Sequence, residues 1–167
     1  MMYSNRVCQK LHDEHMVTLA LLEKLERFVA NGKPPEATDS AARALLIDLA
    51  VAFENEIWRH FGFEEKHLFD YFAQSGDSEM GQLLTAEHVQ IKSLGARIIA
   101  MARAAAASGF TPPAWNEFRP LARQLAEQLA THAQKEEGVL IPLLQDSMES
   151  NTEEQLYTAY VMNEEAF

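Results

Sequence analysis

The chain has 167 residues, the size of one ordinary domain, and its 47% hydrophobic and 23% charged content is typical of a globular protein. A net charge of −11 argues against nucleic acid or an anionic membrane as a partner, because phosphate binding needs clustered lysine and arginine. The lone cysteine, Cys8, excludes a disulfide framework and the usual thiolate-ligated metal sites. With no apolar signal or membrane-spanning run, we expect a single cytoplasmic domain over residues 1–167.

Turn residues divide the chain into four long helices and a short tail helix. Asn31-Gly32 followed by Pro34-Pro35 ends the first, Ser75–Ser78 is a predicted turn with a new cap, and Ser108-Gly109 ends the third. Thr38–Ser40 can cap the second helix. The predicted helices span about residues 4–30, 39–74, 78–107 and 113–145, with the tail helix at about 152–163.

Prolines mark the fourth predicted helix. Pro113 suits the first helical position, whereas Pro120 and Pro142 fall inside the helix. Because an interior proline removes a backbone hydrogen bond, we expect each of the last two to kink the helix or fray a turn.

Each long segment carries an apolar stripe with helical period. The stripes comprise Leu11, His15, Thr18, Leu22, Leu25 and Val29; Phe53, Ile57, His60, Glu64, Leu68 and Tyr71; Leu84, His88, Ile91, Gly95 and Ile98; and Leu121, Leu125, Leu129, His132, Glu136, Val139 and Leu143. No period-two strand pattern competes. The sequence therefore predicts an all-α fold, an up-down-up-down four-helix bundle with a short extra C-terminal helix.

A histidine interrupts all four stripes, and a glutamate interrupts two of them. An unpaired carboxylate in an apolar core is strongly destabilising, and a bound metal ion would compensate for it. The stripes therefore predict a metal site inside the bundle.

The two halves of the chain repeat these residues. Leu11-x-x-Glu14-His15 and His60-x-x-x-Glu64-Glu65 recur as Leu84-x-x-Glu87-His88 and His132-x-x-x-Glu136-Glu137. The two histidines are 45 residues apart in the first half and 44 in the second. Each half is therefore predicted to be one helical hairpin, and a pseudo-twofold packing of the hairpins would bring four histidines and two glutamates together.

The spacing indicates which atoms meet. Residues i and i+4 share a helix face, so His60 with Glu64, and His132 with Glu136, each offer one nitrogen and one oxygen in one direction. The predicted metal ligands are His15, His60, Glu64, His88, His132 and Glu136. A sulfur-free set of this kind favours two non-haem iron ions with an oxo or hydroxo bridge and one open position on each metal.

Other polar residues leave alternatives open. His12 could replace His15 as a ligand, and Glu137 could replace Glu136 as the bridge. His67, Glu56 and Glu65 are interpreted as surface groups or as supports for the ligands from outside the metal. Trp58 and the phenylalanines near it are expected in the core. These are Phe53, Phe61, Phe63, Phe69 and Phe72.

The blocks His60-Phe-Gly-Phe-Glu-Glu and His132-Ala-Gln-Lys-Glu-Glu resemble the hemerythrin-like family of HHE cation-binding domains, over residues 11–144. The resemblance implies a four-helix bundle around a non-haem di-iron centre, with the four histidines as terminal ligands and the two glutamates bridging. Oxygen-carrying members have a fifth histidine one turn from the one matching His88, where this chain has Leu84 and Lys92. The ligand set therefore more closely resembles the di-iron domain of repair-of-iron-centres proteins, which respond to nitric oxide and oxidative stress.

Three functions follow as hypotheses. The first is a di-iron protein that binds or reacts with O2, NO or peroxide in sensing, stress response or iron handling. The second is a ferritin-like iron-oxidising or storage enzyme, which would use Glu-x-x-His pairs such as Glu64 with His67. The third is a metal-free helical interaction module. Whether the chain is an enzyme, and whether it has a protein partner or forms a homodimer, is left open.

Overall fold

The computed structural model describes residues 2–74 and 78–164, and these ranges contain helices and no strand. The helices are α1 (Arg6–Ala30), α2 (residues 40–74), α3 (Ser78–Ser108), α4 (residues 112–147) and α5 (Ser150–Glu164). Each begins and ends within two residues of its predicted range, which confirms the all-α prediction. Residues 75–77 of the predicted turn lie outside the described residues. No described helix is long and apolar enough to cross a membrane.

Local signals account for the helix ends. The side chain of Asn5 accepts hydrogen bonds from the backbone N–H groups of Val7 and Cys8, at 3.0 and 3.1 Å, and so caps α1. Asp39 caps α2 in the same way. At the end of α3, Gly109 adopts a φ of 79° and donates its N–H to the carbonyl of Ala105 at 2.7 Å.

The helices pack α1 on α4, α2 on α3, and α3 on α4, with α5 lying against α1. Two apolar clusters fill the interior, one around Trp115 and one around Tyr160. On α1, Val7, Cys8 and Leu11 belong to the Tyr160 cluster, whereas the buried residues from Leu22 onward belong to the Trp115 cluster. Because the predicted ligands lie between these positions, a polar layer separates the two clusters.

Three short stretches of π-helix interrupt the α-helices at this layer. They are Glu56–His60, Glu64–Leu68 and Glu136–Leu140. A π turn holds one more residue than an α turn, and such turns are frequent at functional sites. The two that begin at Glu64 and Glu136 occupy equivalent positions in the repeat, whereas the one that begins at Glu56 occurs in the first half alone among the described residues.

The π segments change which residues face the core. The predicted stripe on α4 continued through Val139 and Leu143, but these side chains are 47% and 40% exposed. Leu140 and Leu144, one position later, are buried instead. This part of the prediction was wrong because it assumed an unbroken α-helical period.

The same shift occurs on α2, where the buried residue is Phe72 rather than the predicted Tyr71. Trp58 was also expected in the core and is 66% exposed, whereas the five phenylalanines named with it are buried. Pro120 lies inside the Pro112–Lys135 helix, and Pro142 is the second residue after the π segment Glu136–Leu140. The kinks expected at these prolines remain a prediction.

Candidate metal centre

The polar layer brings together all six residues that the sequence named as ligands. They are His15 from α1, His60 and Glu64 from α2, His88 from α3, and His132 and Glu136 from α4. None of these residues is more than 2% exposed. Their roles as ligands remain a prediction, but the fold places them in a single buried cluster.

The cluster divides into two groups of four donor atoms that share their carboxylates. In the first group, Nε2 of His15 lies 3.0 Å from Oε2 of Glu136, and Nε2 of His60 lies 3.3 Å from Oε1 of Glu64. In the second group, the other oxygen of Glu64 is 3.3 Å from Nε2 of His88, and the other oxygen of Glu136 is 3.1 Å from Nε2 of His132. Each carboxylate therefore offers one oxygen to each group.

The chemistry of these atoms calls for a cation. All four oxygens of Glu64 and Glu136 are buried, and no donor among the described residues reaches them in hydrogen-bonding geometry. The Nε2 atoms also face one another, at 3.2 Å between His15 and His60 and at 2.9 Å between His88 and His132. With the Nδ1 atoms engaged elsewhere, lone pairs of nitrogen and oxygen converge without enough protons between them, which suits a metal with mixed N and O ligands.

Four further carboxylates hold the outer nitrogen of each histidine. In each pair, Nδ1 of the histidine donates to a carboxylate oxygen. The pairs are His15 with Glu137 at 2.7 Å and, each at 2.9 Å, His60 with Glu14, His88 with Glu65, and His132 with Glu87. This leaves the Nε2 lone pair of each imidazole directed at the centre. A carboxylate in this position orients a ligand histidine and makes it a stronger donor.

The pattern of these outer carboxylates follows the repeat. Glu14 and Glu87 each precede the histidine of the first helix of a hairpin and hold the histidine of the second helix. Glu65 and Glu137 each follow a shared carboxylate and hold a histidine of the opposite hairpin. The two halves are therefore bonded to each other through the centre as well as by packing.

A family model described as the hemerythrin HHE cation binding domain matches residues 7–144, and a second match covers residues 79–162. The chain belongs to the hemerythrin HHE cation-binding family. A comparison with curated proteins found no match. Family membership and the two buried groups together make this a metal-binding helical protein.

Lysine and histidine side chains in turn contact the outer carboxylates of this hemerythrin-family centre. Lys92 binds both oxygens of Glu65, at 2.6 and 2.7 Å, and Lys135 binds Glu87. Lys10 lies 3.0 Å from Glu14. His12 contacts Glu137 at 2.8 Å. Three of the four outer carboxylates therefore face a lysine, which stabilises acids that are partly removed from water.

The tail helix α5 reaches the centre through Tyr160. Its ring stacks on Phe63 with centroids 3.9 Å apart, and its hydroxyl donates to Glu14 and lies 3.2 Å from Nδ1 of His60. A cation–π contact of Arg6 with Tyr157 and an ion pair of Arg6 with Glu153 hold α5 against α1. The tail helix is therefore part of the structure that supports His60.

These contacts shift pKa values in the metal-free hemerythrin-family chain. Burial lowers the pKa of His15, but Glu136 and Glu137 outweigh it and raise that pKa to about 9. Burial also lowers the pKa of His132, but the bond to Glu136 outweighs burial, and this pKa likewise rises to about 9. Burial raises the pKa of Glu14, but the hydrogen bond from His60 and other contacts outweigh burial and lower this pKa to about 2. In the absence of metal, the neighbouring carboxylates therefore favour the protonated form of the His15 and His132 imidazoles.

The structure also places the residues that the sequence left as alternatives. His12 and Glu137 bond to each other, and Glu137 holds His15, so neither belongs to the two groups. His67 is half-buried against the ring of Phe63, away from both groups. Glu56 is buried and accepts a hydrogen bond from Thr18 at 2.8 Å.

The contributions of Glu14, Glu87 and Tyr160 were missed from the sequence. The repeat carried a signal for the first two, because glutamate precedes His15 and His88 in both halves. Tyr160 has no counterpart in that pattern, and only the packing of α5 against α1 brings it to Glu14.

Proposed function

We propose that the chain holds two iron ions in a non-haem dinuclear centre and binds or reacts with O2, NO or peroxide there, in sensing, stress response or iron handling. The sharing of Glu64 and Glu136 carries this proposal, because each places one oxygen in each group. Imidazole with carboxylate, and no sulfur, suits iron and related metals.

The number of protein donors supports a reactive rather than a purely structural site. Each group supplies two imidazole nitrogens and two carboxylate oxygens, whereas an octahedral ion takes about six ligands. Bound iron would supply redox chemistry and vacant positions for a small exogenous ligand. The apolar clusters on either side of the layer keep bulk water from the donors.

The surrounding residues contribute orientation and charge. The four outer carboxylates fix the imidazole rings with Nε2 inward, and lysines beside Glu14, Glu65 and Glu87 balance the local charge. These groups raise the basicity of the histidines toward a metal. In this proposal the donor atoms already converge before any metal arrives.

Metal analysis with an optical spectrum tests the proposal. We expect two irons per chain and charge-transfer bands that change on reduction and on exposure to NO or hydrogen peroxide. A folded, iron-free protein that fails to take up iron would contradict the proposal and favour a metal-free interaction module.

A pair of variants separates this centre from the ferritin-like alternative. His60 faces Glu64 inside the first group, whereas His67 packs on Phe63 outside both groups. We expect H60A to lose iron and H67A to retain it. Loss of iron in H67A alone would instead favour a Glu-x-x-His site of the ferritin type.

A further inference from the structure

Two grooves lie at equivalent places in the two hairpins. One runs between α1 and α2, and the other runs between α3 and α4. With His15 matched to His88 and His60 to His132, the wall residue Ala52 of the first groove corresponds to Gln124 of the second. The repeat therefore supplies an internal comparison of what each groove can do.

The two grooves differ in volume and in the residues that line them. The α1–α2 groove has a volume of about 600 Å³ and is lined at its buried end by Thr18, Glu56 and His60. The α3–α4 groove has about 350 Å³, and none of the six residues of the metal groups lines it. Ile91 and Gln128 stand there in place of Thr18 and Glu56.

Glu56 and Thr18 form a polar pair that is buried in the core. Their side chains are only 6% and 7% exposed, and Thr18 Oγ1 donates to Glu56 Oε2 at 2.8 Å. An acidic side chain at such a place is costly, and the second half builds the same fold with an amide and an isoleucine. A π segment also begins at Glu56 and ends at His60, whereas the matching residues 128–132 are α-helical. Packing alone does not explain these differences.

We infer that the centre is open on one side, and that a small neutral ligand able to donate a hydrogen bond, of the hydrogen peroxide class, reaches the His15–His60 group through the α1–α2 groove and is met there by Glu56. Thr18 is a positioning residue, because its hydrogen bond to one oxygen of Glu56 orients the carboxylate. The carboxylate of Glu56 disfavours an anion directly beside it, because charges interact strongly where water is scarce, whereas Arg6, Lys10 and Arg59 also line the groove. This inference rests on the proposed iron centre.

Blocking each groove in turn tests the route. A52W fills the α1–α2 groove, and Q124W places the same side chain at the matching wall position of the α3–α4 groove. In iron-loaded protein we expect A52W to slow the stopped-flow reaction with hydrogen peroxide several-fold, and Q124W to leave the rate unchanged. A52L is a milder variant for use if A52W lowers the iron content or the helix content. Equal rates in the two blocked variants would overturn the route.

Azide titration of the iron-loaded protein tests the role of Glu56 through binding rather than reaction. E56Q removes the acid and keeps its size, so azide should bind several-fold more tightly and peroxide should react more slowly. Q128E places an acid at the matching position of the other groove and should leave azide affinity unchanged. Equal effects of E56Q and Q128E on azide, or none in E56Q, would overturn the role of Glu56. If wild-type protein holds no iron, the proposed function itself fails, which is a distinct outcome from iron-loaded variants that do not differ.

Discussion

Glu137 on α4 accepts a hydrogen bond from Nδ1 of His15 on α1 at 2.7 Å, and this bond joins the second hairpin to the first. A glutamine at this position would accept the bond without the negative charge. We expect E137Q to weaken metal binding by about 10- to 100-fold, the usual effect of losing a carboxylate behind a ligand histidine. Competition with a coloured chelator measures this affinity. The exposed Glu149 provides the control, and E149Q should bind as wild type does.

The metal-free protein should lose stability as the solution becomes alkaline. The pKa values of His15 and His132 rise from 6.5 to about 9, because their carboxylate partners outweigh the effect of burial. A raised pKa stabilises the fold fully below 6.5, and this contribution is lost as pH rises through about 9. Thermal melts of chelator-treated protein across this range should therefore show a falling midpoint. A midpoint that rises with pH would contradict the assignment.

Metal uptake at neutral pH should release protons. At pH 7 the imidazoles of His15 and His132 are protonated in the metal-free protein, since their pKa values are about 9, and a metal can bind only the neutral ring. Calorimetric titration in buffers of different ionisation enthalpy measures the number of protons released. An apparent heat that does not depend on the buffer would show that the rings were already neutral.

Gly109 and Gly138 should respond in opposite directions to alanine. Gly109 has a φ of 79°, and an added Cβ would lie 2.9 Å from that of Ala37, so G109A should destabilise the fold by about 1–2 kcal/mol. Gly138 lies in a helix, and outside that helix's own backbone no described atom lies within 4 Å of an added Cβ, so G138A should stabilise by about 0.5–1 kcal/mol. Urea unfolding of the two metal-free variants measures both changes, and equal midpoints would contradict the distinction.

Cys8 should resist thiol reagents in the native protein. Burial raises the pKa of this thiol to about 12, and Sγ donates to the carbonyl of Ile141 at 3.7 Å. Because the thiolate is the reactive form, we expect Cys8 to be modified only after the protein unfolds. Absorbance during reaction with a disulfide reagent, in buffer and then in denaturant, follows this. K33C, which adds an exposed thiol, should react at once with one equivalent, whereas rapid reaction of wild type would show that Cys8 is accessible.

The helices and the polar layer could be predicted because they depend on local periodicity. The stripes on α1 and α3 are buried at every position named, and the histidines and glutamates that interrupt the four stripes meet in the polar layer. Turn and capping residues such as Asp39 and Gly109 placed the helix ends. These features need only the chemistry of neighbouring residues and the spacing of apolar ones.

The remaining features depend on contacts between distant residues. The π segments delay the buried stripe by one residue, and so Leu140 and Leu144 replace Val139 and Leu143 in the core. No pattern in the sequence predicted the change from α-helical to π-helical period. The partner of each Nδ1 could not be assigned from spacing either, since Glu65 and Glu137 bond to histidines of the opposite hairpin.

That crossing of bonds between hairpins has a consequence for how small a metal-binding unit of this kind can be. One hairpin contains two of the imidazoles and one of the two shared carboxylates, and half of its supporting acids bond to the other hairpin's histidines. An isolated hairpin therefore cannot assemble either four-donor group by itself. Two identical hairpins facing each other could supply the full set, and so a gene encoding half of this chain would yield a centre only as a symmetric dimer.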